Sequence, residues 1–151
     1  MQWKPNVTVA AIAEQNDTFL VVEEDADNHI VYNQPAGHLE KNESLTSAIK
    51  REVFEETGWM FEPKSVVGIY IYPNPHIDII YLRICFSGIC VEHDPKHKLD
   101  DGIIRAVWLS RKELEKEKDK MRSPMVLNCI DDYLAGKQYP LDLINHYLPD
   151  N

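Results

Sequence analysis

Short runs of β-branched and aromatic residues, broken by turn-forming pairs, dominate the start of the chain. Residues 7–12 and 19–23 read as strands. Asn16-Asp17 between them is turn chemistry, so the two form a predicted hairpin. Ala26-Asp27-Asn28 marks a second turn. Residues 30–32 make a short strand leading into a loop from Asn33 to Gly37, with Pro35 and Gly37 as breakers. The period then changes. Residues 44–57 read as a helix, with Leu45, Ala48 and Ile49 on one face, and Gly58 stands where helices commonly stop.

After Pro63 the chain becomes extended again. Residues 66–72 and 79–91 are strand candidates separated by Pro73-Asn74-Pro75, and residues 92–102 form a polar loop containing Pro95. Residues 103–109 give one more strand. Ser110 and Glu113 have capping-box spacing and open a charged helix expected to run to about Lys120. Ser123-Pro124 opens a last helix, with Ser as cap and Pro at the first helical position, ending at Gly136. The tail, 138–151, carries Tyr139, Leu141, Leu143, Ile144 and Tyr147, and is expected to pack back on the domain. Strands, a helix, strands and two helices predict a mixed sheet with helices on its faces, an α+β or α/β sandwich.

Composition narrows the picture. The chain has 151 residues, 44% of them hydrophobic and 27% charged, which predicts one domain over 1–151 with a real core. The formal net charge of -9 and the lack of a basic cluster exclude bulk nucleic acid as partner, but not a small anionic substrate. Cys85, Cys90 and Cys129 show no metal or redox spacing and read as free thiols of a reducing compartment. The first six residues lack signal-peptide character. The region 77–91 is broken by Asp78 and Arg83 and is too short to span a bilayer. The expectation is a soluble, cytoplasmic protein with no membrane partner.

Candidate chemistry centres on the helix. Glu52, Glu55 and Glu56 fall within an arc of roughly 100° that overlaps its apolar face. Like charges at this spacing repel, the more so where water is scarce. A cation removes the conflict, and oxygen ligands without His or Cys favour Mg²⁺ or Mn²⁺ over zinc. The competing explanation is a solvated acidic face paired with Lys50 and Arg51.

The preceding loop decides between them. Gly37, Glu43, Arg51, Glu52, Val53, Glu55, Glu56 and Gly58 fit the pattern Gly-x5-Glu-x7-Arg-Glu-U-x-Glu-Glu-x-Gly-U, in which U is a bulky aliphatic residue. Only Trp59 departs from it, being bulky but aromatic. The stretch 37–59 therefore resembles the Nudix box, a far more specific signal than a lone glycine motif. Further segments, among them Val7-Thr8-Val9-Ala10, Asn33 to Glu40, Leu82-Arg83 and Arg122-Ser123-Pro124, resemble a bacterial phosphatase branch of that family.

The resemblance implies the Nudix α/β/α sandwich and a Mg²⁺-dependent hydrolase, with Mn²⁺ as substitute, acting on phosphoanhydrides of small di- and triphosphates. For this branch it implies nucleoside tri- and diphosphates, hydroxymethylpyrimidine pyrophosphate and thiamine pyrophosphate. The alternatives are ADP-ribose or dinucleoside polyphosphates, or a non-catalytic nucleotide sensor, as monomer or homodimer. By resemblance Glu52 and Glu56 are the firmest metal ligands, Glu55 is a third, and the Ala36 carbonyl adds a backbone oxygen. Glu52 is the first choice of base, with Glu55, Glu56 and a loop acid as alternatives. Asp100 and Asp101 are the nearest loop acids. Arg51 braces Glu52 or pairs with Glu43. Arg83 lies either on the solvent side of the sheet or against substrate phosphate. His38, beside the metal loop, is a phosphate contact or simply exposed, and Tyr70, Tyr72 and Tyr81 are either stacking surfaces or core.

Overall fold

The computed structural model describes residues 2–148. Seven strands form one mixed sheet in the order β3-β2-β1-β6-β5, with β4 paired to β1 and β7 to β2. The first hairpin joins β1 (Asn6–Gln15) to β2 (Thr18–Ala26) through Asn16 and Asp17, whose φ values are 53° and 61°. Asp27 and Asn28, at 52° and 69°, turn β2 into β3 (His29–Asn33) in the same way. Two successive left-handed residues match the twist of a tight hairpin, and Asn and Asp tolerate that conformation.

Residues 36–38, expected as loop, form a short strand β4 (Ala36–His38) antiparallel to β1, with Val9 opposite Gly37. On its other edge β1 runs parallel to β6 (Ile80–His93). Helix α1 (Leu45–Thr57) begins at Ser44, whose Oγ accepts the Ser47 N–H at 3.1 Å, and ends at Gly58 with φ 76°. A Cβ on Gly58 would meet the Asp94 carbonyl oxygen at 2.7 Å, so glycine is required there twice over.

The other departures from expectation have local causes. The strand expected from residue 66 starts earlier, as β5 (Trp59–Pro73), and runs through Pro63. Its register against β6 shifts between Pro63 and Ser65, an irregularity that accommodates the missing N–H on an edge strand. After β7 (Ile103–Ser110), helix α2 (Arg111–Lys116) starts with the expected capping box but ends four residues early, giving way to a 3₁₀ turn at Lys118–Lys120. Leu114 is its sole buried residue, so little packing supports further turns. Helix α3 (Met125–Leu134) follows Ser123-Pro124 but starts one residue later and ends earlier than expected, with Pro124 at the cap position; the Met125 N–H donates to Ser123 Oγ at 3.2 Å.

Two apolar layers sandwich the sheet. Ala48, Ile49 and Val53 of α1 pack on Val9, Ala11, Leu20, Ile84 and Phe86. Leu114, Met125, Cys129 and Ile130 of α2 and α3 cover Ala10, Ile12, Phe19, Val21 and Cys85 on the other face. Each fully buried aliphatic side chain contributes about 1.5–3 kcal/mol. The tail packs back in part. Tyr139 pairs with Val66, Leu141 and Ile144 join the α1 layer, and His146 Nε2 accepts the Leu45 N–H at 3.0 Å. Tyr147 is 95% exposed, and the expectation for residues 149–151 lies outside the described residues. No helix among the described residues is long and apolar enough to cross a membrane.

Candidate active site

The site forms where α1 meets β4. Pairing of Gly37 with Val9 turns the Gly37 Cα toward α1, and the Glu52 carboxylate occupies the space where a Cβ would stand. The chain can approach this carboxylate only because the residue is glycine. One residue earlier, the Ala36 N–H donates to Glu56 Oε1 at 2.9 Å. Glu52 and Glu56 are 8% and 9% exposed, unusual for glutamates.

Arg51 organises the N-terminal half of the site. Its Nε and Nη2 donate to the two Glu43 oxygens at 2.6 and 2.9 Å, the bidentate geometry that suits a guanidinium. Nη1 donates to Glu52 Oε1 at 2.7 Å and to Glu55 Oε2 at 3.1 Å, and Nη2 also reaches the His38 carbonyl at 3.0 Å. Sequence left open whether Arg51 braces Glu52 or pairs with Glu43; it does both. Its hydrogen bonds hold the Glu43 carboxyl below the ordinary range, and Glu43 in turn raises Arg51.

The loop before β7 supplies a further acid. The Asp100 N–H donates to the Glu55 carbonyl at 3.0 Å, where the loop crosses α1. Carboxylate oxygens of Glu52, Glu55 and Asp100 then lie within 4.8 Å of one another. Asp101 is exposed and outside this trio. Burial raises Glu52 despite its bonds to Arg51, and pushes Glu56 up to about 9 despite the Ala36 N–H, with the charges of Glu52, Glu24 and Asp100 adding to the rise. The site thus holds more negative charge than Arg51 neutralises. Donors that are all hard oxygens, held together at this cost, fit a hard divalent cation.

His38 and Arg83 are not brought into this cluster. The His38 ring turns to the other face of the sheet, with Nε2 3.4 Å from Asn6 Nδ2 and the ring 6.3 Å from that of Tyr81. Arg83 is 4% exposed, which removes the solvent-side alternative of the two that the sequence left open. Its Nη2 donates to Gln34 Oε1, Gln34 Nε2 donates to the Val126 carbonyl, and its Nε has no partner among the described residues. Thr8 lies between His38 and Arg83 in the strand register, and Tyr70 follows on β5, so the four share one face. Tyr70 is tied to Asp132 by a 2.7 Å hydrogen bond, which makes it structural, while Tyr81 and Tyr72 are half-buried cross-strand partners.

Sequence reasoning passed over Glu24 and Asn33. Glu24 raises Glu56, and the buried Asn33 Oδ1 accepts no hydrogen bond among the described residues. Neither carries a local motif. Glu24 comes near Glu56 only through the assembled sheet, and Asn33 is placed by its pairing with Val22.

Comparison with known proteins agrees with this geometry. The NUDIX domain profile matches residues 3–128. The phosphatase NudJ of Shigella boydii serotype 4 is 36% identical over 145 residues, covering 96% of this chain and 94% of that protein. The phosphatase NudJ of Escherichia coli K12 is 35% identical over the same span. A NUDIX hydrolase from Nitrosomonas europaea superposes with a TM-score of 0.94 at 50% identity, covering 95% of this chain and 98% of the other. A UDP-X diphosphatase, 15% identical with a TM-score of 0.74 over 93% of this chain and 68% of that one, shares the fold. The chain therefore belongs to the NUDIX family and is a hydrolase acting on phosphorus-containing acid anhydrides.

Proposed function

We propose that the protein is a Mg²⁺-dependent hydrolase, with Mn²⁺ as substitute, of the phosphoanhydride bonds of nucleoside tri- and diphosphates. Hydroxymethylpyrimidine pyrophosphate and thiamine pyrophosphate fall within the same range of substrates. The observation that carries the reading is the trio Glu52, Glu55 and Asp100, with buried Glu56 beside it, short of positive charge. The similarity to NudJ phosphatases over nearly their whole length supports the choice of substrate class.

Glu52, Glu55, Asp100 and the backbone around Ala36 would hold the cation, and Glu56 closes the site from below through the Ala36 N–H. A bound divalent ion there supplies charge neutralisation of the phosphates and a lower pKa for water. Glu52 is the base. Arg51 occupies its Oε1, and burial has raised its proton affinity. Water oxygen forms the new bond to phosphorus, the bridging oxygen leaves with the departing phosphate, and one water proton passes to Glu52. His38, Thr8, Tyr81 and Arg83 lie on the opposite face of the sheet, so the phosphates are received on the α1 face, beside Glu52, Glu55 and Asp100.

A phosphate-release screen over nucleotides, thiamine-pathway diphosphates, sugar nucleotides and dinucleoside polyphosphates, with Mg²⁺ titrated, tests the reading. Sequential release of inorganic phosphate is expected. Paired nucleotide products would replace this substrate class with dinucleoside polyphosphates or ADP-ribose. Nucleotide binding without turnover at any Mg²⁺ or Mn²⁺ concentration would make the domain a sensor.

A further inference from the structure

Strand β2, with β3 on its outer edge, runs beside the loop that carries Asp100. Leu20, Val22 and Glu24 alternate onto the α1-facing side of β2, where Leu20 joins the core that α1 covers. Glu24 is the first member of this row beyond that core. It pairs with Ile103, whose N–H donates to the Asp100 carbonyl at 3.0 Å, so it borders the acidic loop. Asn33, paired with Val22, lies on the same side, buried and with Oδ1 open.

Arg122 reaches β2 from outside β3. Met121 bridges Tyr32, and the Arg122 N–H then donates to the Tyr32 carbonyl at 2.9 Å, which fixes its Cα at the outer edge of the sheet. Its Nη1 donates to Glu24 Oε2 at 2.6 Å, with the arginine side chain 50% exposed and the glutamate 13%. Nε and Nη2 have no partner among the described residues. Arg51, by contrast, is fully engaged by three carboxylates and a carbonyl. A guanidinium anchored at one nitrogen keeps its remaining donors in a fixed fork, the arrangement that suits phosphate.

We propose that Arg122 is a phosphate-contacting residue of the substrate cleft, anchored by Glu24 so that its free N–H donors bind non-bridging oxygens of a terminal phosphate. The proposal rests on the phosphoanhydride reading for its substrate. It gives the Arg122-Ser123-Pro124 segment a role beyond starting α3. The neighbouring pair Arg105 and Glu23 is a built-in control. Its Nε···Oε2 distance is 2.7 Å, but Glu23 alternates to the face away from α1.

The test compares Arg122→Ala, Arg122→Lys and Arg105→Ala in steady-state kinetics with ADP and ATP. Binding of inorganic pyrophosphate with MgCl₂ is measured in parallel by calorimetry. Arg122→Ala should raise KM about 10-fold or more with kcat within about threefold, the signature of lost phosphate binding. Arg122→Lys should recover part of the loss, and Arg105→Ala should match wild type. Pyrophosphate affinity should fall in parallel for Arg122→Ala alone. Equal effects of Arg122→Ala and Arg105→Ala, or loss of melting temperature without a change in KM, would overturn the proposal. Should the wild type turn over no phosphoanhydride, the functional reading fails while pyrophosphate binding still decides the role of Arg122. A wild type that binds no pyrophosphate and turns over no phosphoanhydride refutes both.

Discussion

The two halves of the α1 carboxylate row solve the same electrostatic problem differently. Toward the N-terminal half, Glu43, Glu52 and Glu55 converge on Arg51, and the chain supplies the counter-charge itself. Glu56, one turn beyond Glu52, receives a single backbone N–H and feels Glu52, Glu24 and Asp100 as further negative charges. Glu43 is fully paired as folded, whereas Glu52 and Glu55 share one guanidinium nitrogen and, with Asp100 and Glu56 beside them, stay short of positive charge. That difference separates scaffold from function within one helix. Arg51 holds geometry, and the uncompensated charge is the proposed source of affinity for a cation.

Removing charge from the proposed cation site should have the largest effect. Glu52→Gln should lower kcat about 10³-fold or more, since it removes both the proposed base and a proposed cation ligand. Circular dichroism and melting should stay near wild type, because a neutral amide suits a buried site. Turnover within about tenfold of wild type would reassign the base to Glu55, Glu56 or Asp100. Gly37→Ala should also separate activity from stability. The added Cβ meets the movable end of Glu52, so the fold adapts while the carboxylate leaves its position. A fall of about 10–100-fold in kcat/KM with an unchanged midpoint of denaturation is expected, given the cost of misplacing a catalytic group by about an ångström. Unchanged kcat/KM would show that the Gly37 approach does not position Glu52.

The scaffold half should respond the other way. Arg51→Ala leaves Glu43, Glu52 and Glu55 without their shared partner. Breaking such a buried pair costs about 3–5 kcal/mol, and partial exposure of Arg51 lowers the expectation to about 2–4 kcal/mol. Chemical denaturation with and without Mg²⁺ sharpens the contrast. Added cation should return part of the lost stability, since it replaces positive charge beside Glu52 and Glu55. A loss that ignores Mg²⁺ would mean that Arg51 acts mainly through Glu43 and the loop.

Legibility in the sequence followed the range of the interactions. The helix with its caps, both tight turns and the spacing of the box are local, and each was readable from its own residues. Strand β4 was hidden because Pro35 and Gly37 look like breakers, and only its partner β1 makes Ala36–His38 extended. The helical arc grouped Glu52, Glu55 and Glu56, but the contact trio exchanges Glu56 for Asp100, and the loop that carries Asp100 is placed by its bond to Glu55. Arg83 was ambiguous for the same reason. Its partner Gln34 lies across the fold, and no pattern within the 79–91 run announces it.

The mildest way to break the comparison is pH, since Glu56 and Glu43 should titrate with opposite sign. Glu56 has a folded pKa of about 9, above its ordinary 4.5, so the metal-free native state binds an extra proton between those values. Its contribution to stability is fully present below about pH 4.5 and is lost as pH rises toward 9, by at most about 1.4 kcal/mol per pH unit. Glu43 is shifted down by Arg51, so its contribution is present above pH 4.5 and is lost as acid protonates it. Metal-free wild type should therefore have its highest melting temperature in mildly acidic buffer and fall toward pH 9. Glu56→Gln should flatten the alkaline side alone, and Glu43→Gln the acidic side alone. A metal-free melting profile that rises from pH 5 to 9 would contradict the picture of Glu56 as a buried acid without a counter-charge.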